Sequence, residues 1–253
     1  FRSRRGGSGN GDRMLVDYSG ETGKWTGTRR IDSGAGLFTD IKGTSRSRCS
    51  YPNGYDYGPG GRLHATWVWR ESSQGANHDL VYVYSDDQGG SWRNNAGKLL
   101  DNPPHVNSPE ITVVPISRLL GLMNTHGQAV DSKGRIHVVM WHCTDQSLKA
   151  AGSKPGEKRW GPPEARRYHH YFRETDGSWH HRQLPLSAGN RPKIFFDSGD
   201  NAYVICSIRN KASRLAGYPM NRSGDLVFTA ASSQSKWTDW RILHTEPGPF
   251  VNE

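Results

Sequence analysis

The chain has 253 residues with 30 glycines, 14 prolines and 10% aromatic residues, a composition typical of many short strands joined by turns. Lysine and arginine outnumber aspartate and glutamate by 33 to 24, so the surface attracts anions such as nucleic acid, anionic lipid or acidic glycan. No apolar window of about 18 residues is present to span a membrane, and the first residues, FRSRRGGSGNG, are too polar for a signal peptide.

Residues 5–25 correspond to the second half of a four-stranded unit. An apolar strand is followed by the polar turn SGETGK and by Trp25. The same order of strand, turn and tryptophan returns at 85–92, 172–179 and 230–237. Repeats at such spacing outweigh any single motif in deciding a fold.

The clearest copy is SDDQGGSW at 85–92, which matches the Asp-box pattern S-x-D-x-G-x-[ST]-W. In this motif the Asp and Ser side chains hold the backbone of a tight turn, and glycine permits positive φ. The tryptophan fills the gap between neighbouring sheets. An Asp-box joins the third and fourth strands of a β-propeller blade.

The remaining strands align around these turns. Second strands are predicted at 63–70, 136–143 and 202–209, each after a glycine-containing turn. First strands precede them at 48–54, 126–131 and 191–197, and third strands follow at 79–85, 169–174 and 225–231. Fourth strands are predicted at 92–100 and 179–186.

The sequence therefore predicts an all-β fold, a β-propeller of four-stranded antiparallel blades. We expect a half blade at 1–43, blades at 44–100, 101–186 and 187–245, and the start of another at 246–253. About three and a half blades fall short of the four to eight of a closed propeller, so we expect an internal fragment of a longer gene product.

Candidate site residues follow from strand polarity. In an antiparallel meander, the start of strand one, the end of strand two and the start of strand three meet at one end. The residues at these positions are Arg48, Trp69, Arg70, Asn77, His78, Asn124, His126, His142, Tyr168, His169, His170, Tyr171, Arg191, Lys193 and Arg209. Arginine, histidine and tyrosine predominate among them, which favours an anionic ligand.

Several residues have a simpler structural interpretation. His64 and His137 occupy the same repeat position within strands and are expected to be structural. The histidines at 169, 170, 180 and 181 could be solvated edge residues. The three cysteines show no C-x-x-C spacing and are expected to be buried free thiols.

Other chemistries have little support in the sequence. No H-E-x-x-H, P-loop or G-x-S-x-G motif occurs. Glycosidases need two carboxylates on either side of the scissile bond, and the acids here lie mainly in turns. No recognised nucleic-acid-binding module is present.

Five segments resemble a known group: 5–12, 47–54, 63–71, 127–142 and 190–197. They are similar to the neuraminidase-type-repeat propellers of bacteria and fungi, which include seven-bladed ulvan lyases and rhamnose–glucuronate lyases. The resemblance implies that His142, His126, Tyr171 and Arg191 are catalytic. It leaves Tyr168 as a competitor of Tyr171. The substrate-binding residues expected with them are Arg48, Arg70, His78, Asn124, Tyr168 and Arg209.

The activity implied is β-elimination on an acidic, uronate-containing polysaccharide. Arg191 would neutralise the uronate carboxylate, while His142 or a tyrosine of lowered pKa removes the C5 proton and the other protonates the leaving oxygen. Two alternatives remain: a rhamnosidase-like or sialidase-like glycoside hydrolase, and a non-catalytic glycan-binding propeller.

The expected partner is the acidic polysaccharide, with no nucleic acid and no membrane. No cofactor is required, although a structural metal ion near Cys143 and the histidines stays open. The full-length protein is expected to be a monomer, and its substrate class implies secretion.

Overall fold

The structure, a computed structural model, describes residues 2–71, 77–208 and 223–251. Within this part, helix is confined to α1 (Asp145–Ala150) and to two 3₁₀ turns, Arg118–Leu120 and Pro163–Ala165. No helix among the described residues is long and apolar enough to cross a membrane. The prediction of an all-β fold is confirmed.

The first sheet contains the strands β1 (Arg2–Gly7), β2 (Asn10–Ser19), β3 (Lys24–Asp32), β6 (Arg48–Tyr57), β7 (Leu63–Glu71), β8 (Asn77–Ser85) and β9 (Thr112–Val114). Its order is β1-β2-β6-β7-β8-β9, with β3 also paired to β2. The strand β2 joins β6 through one parallel bridge, Gly11 to Cys49. A separate hairpin, β4 (Phe38–Asp40) and β5 (Gly43–Ser45), precedes β6.

Two further sheets are four-stranded antiparallel meanders in chain order. The second consists of β10 (Gly127–Val130), β11 (Ile136–His142), β12 (Arg167–Arg173) and β13 (Trp179–Ser187). The third consists of β14 (Lys193–Phe196), β15 (Ala202–Ile208), β16 (Ser223–Ala231) and β17 (Arg241–Val251). Because β10 lies against both β6 and β14, the first strands of the three units are neighbours.

The structure differs from two predictions, the strand at 92–100 and the start of a new unit at 246. Residues 92–100 do not form a strand, since the Asn94 side chain accepts hydrogen bonds from the amides of Ala96 and Lys98 and closes a turn. Only isolated bridges at Arg93 remain there, and β9 pairs with β8 instead. Residues 246–251 do not begin a new unit, because they continue β17 and pair with β16 up to Val251.

The Asp-box turn forms as the motif predicts. The Asp87 carboxylate accepts hydrogen bonds from the Ser85 hydroxyl at 2.7 Å and the Ser91 amide at 2.8 Å. The Gly89 amide donates to Ser85 Oγ at 2.7 Å, and Gly89 has a φ of +87°. The side chains therefore satisfy the backbone of the turn themselves.

Apolar cores lie between the second and third sheets, between the first and second sheets, and between β3 and the β7–β8 pair of the first sheet. Trp92 and Trp237 of two repeats are fully buried, whereas Trp25 is 59% exposed and contacts Tyr18. Trp25 therefore does not fill a gap between sheets as the Asp-box tryptophan Trp92 does. The cysteines are buried free thiols, as predicted.

The repeat tryptophans provide a matched test of this packing. We expect Trp92→Ala to lower the free energy of unfolding by about 3–5 kcal/mol, because a buried indole leaves a cavity. Trp25→Ala should cost less than about 1 kcal/mol, because its ring is already largely in water. Urea denaturation followed by far-UV circular dichroism measures both values. Equal losses would contradict the difference in burial.

Candidate functional site

His142 and Tyr171 lie on the same face of the second sheet and form a hydrogen-bonded pair. Trp141 is opposite Tyr168 in the β11–β12 ladder, and both side chains pack against the third sheet. Because successive side chains of a strand alternate between faces, His142 and Tyr171 lie on the other face, towards the first sheet. There Tyr171 joins an apolar cluster with residues of both sheets. His142 Nε2 and the Tyr171 hydroxyl oxygen are 2.8 Å apart.

The bonding of His142 fixes its tautomer. Its Nδ1 is 2.7 Å from the Cys143 carbonyl oxygen, which can only accept, so Nδ1 carries the proton. Nε2 then has a free lone pair in the neutral ring and accepts the Tyr171 hydroxyl proton. Burial lowers the pKa of His142 to about 4 and raises the pKa of Tyr171, so both groups are neutral near pH 7.

Two further histidines hold this pair in place. The His169 ring stacks on His142 with centroids 3.9 Å apart, and its Nε2 is 3.3 Å from the His142 carbonyl oxygen. His169 Nδ1 is 2.9 Å from Nε2 of His181, whose ring also stacks on Tyr171. The suggestion that His169 and His170 are solvated edge residues is wrong, because both are fully buried.

A cavity of about 250 Å³ opens where the three sheets and the β11–β12 connection meet. Its lining residues are Arg70, Met123, Asn124, Arg159, Trp160, Asn190 and Arg191. Arg191 donates to the carbonyl and side-chain oxygens of Asn124 at 3.1 and 3.2 Å. Three candidates from the sequence, Arg70, Asn124 and Arg191, are thus brought together here.

Sequence reasoning missed Arg159 and Trp160. Both lie in the connection between β11 and β12, outside any repeated strand, so strand alignment had no position for them. The only feature of the sequence that could have indicated these two residues as site residues is a basic residue next to an aromatic one in a long connection.

His126 is buried just before β10 and is absent from the wall of the cavity. Neither ring nitrogen has a hydrogen-bond partner among the described residues. Burial lowers its pKa well below the usual value, and the charge of Arg191, together with that of His142 whenever His142 is protonated, lowers it further. His126 therefore lies near both groups and is neutral.

Arg48 does not line the mouth of the site, which corrects one prediction. Its guanidinium is fully buried, 2.7 Å from Glu71 Oε1, and donates to the carbonyl oxygens of Gly34, Ala35, Gly36 and Ser45. These contacts fasten the segment that carries the β4–β5 hairpin. A buried, fully bonded ion pair of this kind is structural.

His78 and Tyr168 are likewise internal, contrary to their prediction as substrate-binding residues. His78 lies between Glu71 and Asp79 under the ring of Phe38. Burial opposes its protonation, but the two carboxylates outweigh burial and raise the pKa of His78.

The Tyr168 hydroxyl is 2.7 Å from the carbonyl oxygen of Asn190 and 2.8 Å from that of Ser207, which ties the second sheet to the third. Arg209, the remaining candidate, lies outside the described residues.

Cys143 lies in an apolar cluster. Its thiol packs with Leu148 and Ala165, and burial raises its pKa to about 11. No group of three or more His, Cys, Asp or Glu side chains suited to a metal occurs in the described part of the chain.

Comparison with known proteins gives a family and a fold. The sequence model of the BNR repeat-containing family matches residues 1–187. No curated protein matches the sequence. Among solved structures, the polysaccharide lyase Uly1 aligns over 100% of this chain and 48% of its own, with a TM-score of 0.62 and 18% identity. A PL25 ulvan lyase bound to -[GlcA(1-4)Rha3S]- aligns over 94% of this chain and 51% of its own, with a TM-score of 0.62 and 13% identity.

These matches define the class of the protein as an all-β chain with the fold seen in those lyases. The family match covers well over half of the sequence, so the chain belongs to the BNR repeat-containing family. It spans about half the length of the solved structures that it matches.

The buried neutral histidines predict sensitivity to acid. Burial lowers the pKa of His64 and His142 to about 4 and of His169 to about 2. The unfolded chain titrates near pH 6.5, so it binds more protons than the folded one at acidic pH. The free energy of unfolding should therefore fall below about pH 6.5, by up to about 1.4 kcal/mol per pH unit for each such histidine.

The measurement is urea denaturation of the protein over this pH range. His64→Gln should reduce the slope, whereas His180→Gln, at an exposed position, should leave it unchanged. A slope that is the same in all three proteins would contradict the assignment.

Proposed function

We propose that the protein is a polysaccharide lyase that cleaves a uronate-containing glycan by β-elimination. The observation that carries the proposal is the His142–Tyr171 pair, which combines an unprotonated Nε2 with a hydroxyl 2.8 Å away. Arg191 and Asn124 line the cavity, whereas the buried His142 and Tyr171 are not among its described lining residues, and His126 lies near both Arg191 and His142. The fold shared with the solved lyases supports the same class of reaction.

Arg191 would bind the carboxylate of the uronate. The C5 proton of a uronate is only weakly acidic beside an ionised carboxylate. A guanidinium is always charged and can bind both carboxylate oxygens, so it stabilises the enolate that forms when this proton leaves. The bonds to Asn124 hold the guanidinium plane in a fixed orientation before the substrate binds.

Tyr171 is the group that would meet the sugar, with His142 behind it. As the phenolic oxygen takes the C5 proton, the original hydroxyl proton passes to His142 Nε2. The C4–C5 double bond forms, the C4–O bond breaks, and the pair returns one proton to the leaving oxygen. Tyr171 need not become a phenolate, which agrees with its raised pKa.

A hydrolase on this scaffold has less support. Hydrolysis of a glycoside needs two carboxyl groups on either side of the bond. The described residues that line the cavity include none. We therefore favour elimination over the rhamnosidase-like and sialidase-like alternatives, and glycan binding without cleavage becomes an outcome of the assay.

The finer architecture belongs to the same proposal. We propose that the three sheets are blades of a β-propeller, with β6, β10 and β14 along the axis. The substrate class would be an acidic, rhamnose–uronate polysaccharide such as the one named for the solved ulvan lyase. Secretion follows from that class, because such polymers are extracellular, and the chemistry requires no cofactor.

Two tyrosines of one strand test the role of the pair. Tyr171→Phe should lower kcat by about 10²-fold to 10⁴-fold, because it removes the hydroxyl that moves the proton. Tyr168→Phe, the matched control, should retain kcat and lose about 1–3 kcal/mol of stability, because buried carbonyls lose their donor. The ultraviolet absorbance of the unsaturated uronate product measures the rate.

The same assay separates the alternative functions. New reducing ends without this absorbance would indicate a hydrolase, and retention of the polymer without cleavage would indicate a glycan-binding protein. Full activity of Tyr171→Phe would overturn the mechanism.

Arg191 tests the electrostatic part of the proposal. Arg191→Ala should reduce kcat/KM by about 10²-fold to 10³-fold, because the developing enolate loses its counter-charge. Arg191→Lys should recover part of the loss, since it restores the charge without the two-pronged geometry. Turnover by Arg191→Ala at the rate of the original protein would contradict carboxylate neutralisation at this position.

A further inference from the structure

The β11–β12 connection, residues 143–166, carries Arg159 and Trp160 into the candidate cavity. A β-meander needs only a short turn at this point. Here the connection contains α1 and a 3₁₀ turn, Pro163–Ala165. Long connections mounted on a rigid sheet are where binding residues concentrate.

The connection is held firmly where it meets the cavity. Arg166 donates to the carbonyl oxygens of Trp160 and Gly161 at 3.0 Å each, and its guanidinium lies 5.1 Å from the centroid of Trp141. A side chain at Gly121 would meet the backbone of Trp160, because a Cβ there would lie 2.5 Å from the Trp160 carbonyl carbon. The backbone at Trp160 and Gly161 is therefore set by packing before any ligand binds, and it carries the exposed Arg159 beside it.

This arrangement places like charges together on one wall. Arg159 and Arg70 both line the cavity; burial, and then the charge of Arg70, lowers the pKa of Arg159. The guanidinium of Arg159 lies 4.8 Å from the centroid of the Trp160 ring. Holding two guanidinium groups near each other is unfavourable in the absence of an anion, and becomes favourable when an oxyanion binds between them.

We propose that Arg70 and Arg159 form a second anion subsite, separate from Arg191, which binds a negatively charged substituent on the sugar next to the uronate. The substituent is an oxyanion, either a sulfate ester or a second carboxylate. Trp160 supplies an apolar face for the ring of that sugar. The subsite rests on the proposed function for its role in turnover, but its binding of an anion can be measured independently.

The test compares kcat/KM on three polymers: a sulfated rhamnose–glucuronate polymer, the same polymer after desulfation, and a polymer of consecutive uronates. The variant is Arg159→Gln, and the matched control is Lys158→Gln, which removes the same charge from a neighbouring exposed position outside the cavity wall. Arg159→Gln should lower the preference for sulfated over desulfated polymer by about 10-fold to 100-fold, the value of one or two charged hydrogen bonds.

Lys158→Gln should leave that preference unchanged. If Arg159→Gln lowers the preference for the sulfated over the desulfated polymer, the anion is a sulfate ester. If it instead lowers the preference for the polymer of consecutive uronates over the desulfated polymer, the anion is a carboxylate. An equal effect of Arg159→Gln on all three polymers would overturn the subsite.

A separate binding measurement covers the case in which no polymer is cleaved. Affinity electrophoresis in gels that contain the sulfated polymer or the polymer of consecutive uronates would then compare the original protein with both variants. If either polymer retards the original protein and Lys158→Gln but not Arg159→Gln, the subsite is supported and only the lyase reaction is rejected. Retardation that is equal in all three proteins, or absent from all of them in both gels, rejects the subsite.

Discussion

The register between β11 and β12 decides which side chains can form the candidate site. Tyr168 and Tyr171 are three residues apart on one strand, so they lie on opposite faces of the sheet. Tyr171 shares its face with His142, while Tyr168 packs with Trp141 against the third sheet. A slip of one residue would exchange the two tyrosines. The Tyr168 hydroxyl accepts from the amides of Gly189 and Asn190 and shares its one proton between the carbonyl oxygens of Asn190 and Ser207, and these contacts oppose such a slip.

The second constraint is the burial of the histidines around this pair. A neutral imidazole can donate at one nitrogen and accept at the other, so a chain of stacked rings satisfies its own hydrogen bonds without any charge. The buried rings of His142 and His169 stack on each other and bond to the Cys143 and His142 carbonyl oxygens, and the exposed His181 bonds to His169 Nδ1. The same burial that keeps these rings neutral leaves an unprotonated nitrogen at His142 Nε2. Burial of the rings therefore explains both their packing and the ability of His142 Nε2 to accept a proton.

Most of the fold follows from short-range patterns in the sequence. The Asp-box residues bond within their own turn, and the alternating apolar strands pair with their chain neighbours, so local reasoning was sufficient for both. The strand expected at 92–100 failed because Asn94 closes a turn through its own side chain, which competes with strand pairing. The prediction for Arg48 was wrong because tertiary contacts hold the segment 34–45 over it. Arg159 and Trp160 were missed for the same reason, since their position depends on Arg166 and on a close approach at Gly121.

Several arginines differ in the partners that their guanidinium groups contact, which the sequence does not reveal. Arg48, Arg118 and Arg135 are bonded to the carboxylates of Glu71, Asp40 and Asp131, so their charges are balanced within the fold. Arg191 instead bonds to the neutral oxygens of Asn124, and the cavity that it shares with Arg70 and Arg159 has no carboxylate among its described lining residues. The bonds to Asn124 fix the direction of the Arg191 guanidinium. Three arginines, Arg70, Arg159 and Arg191, therefore line this cavity, and their positive charges would attract a polyanion.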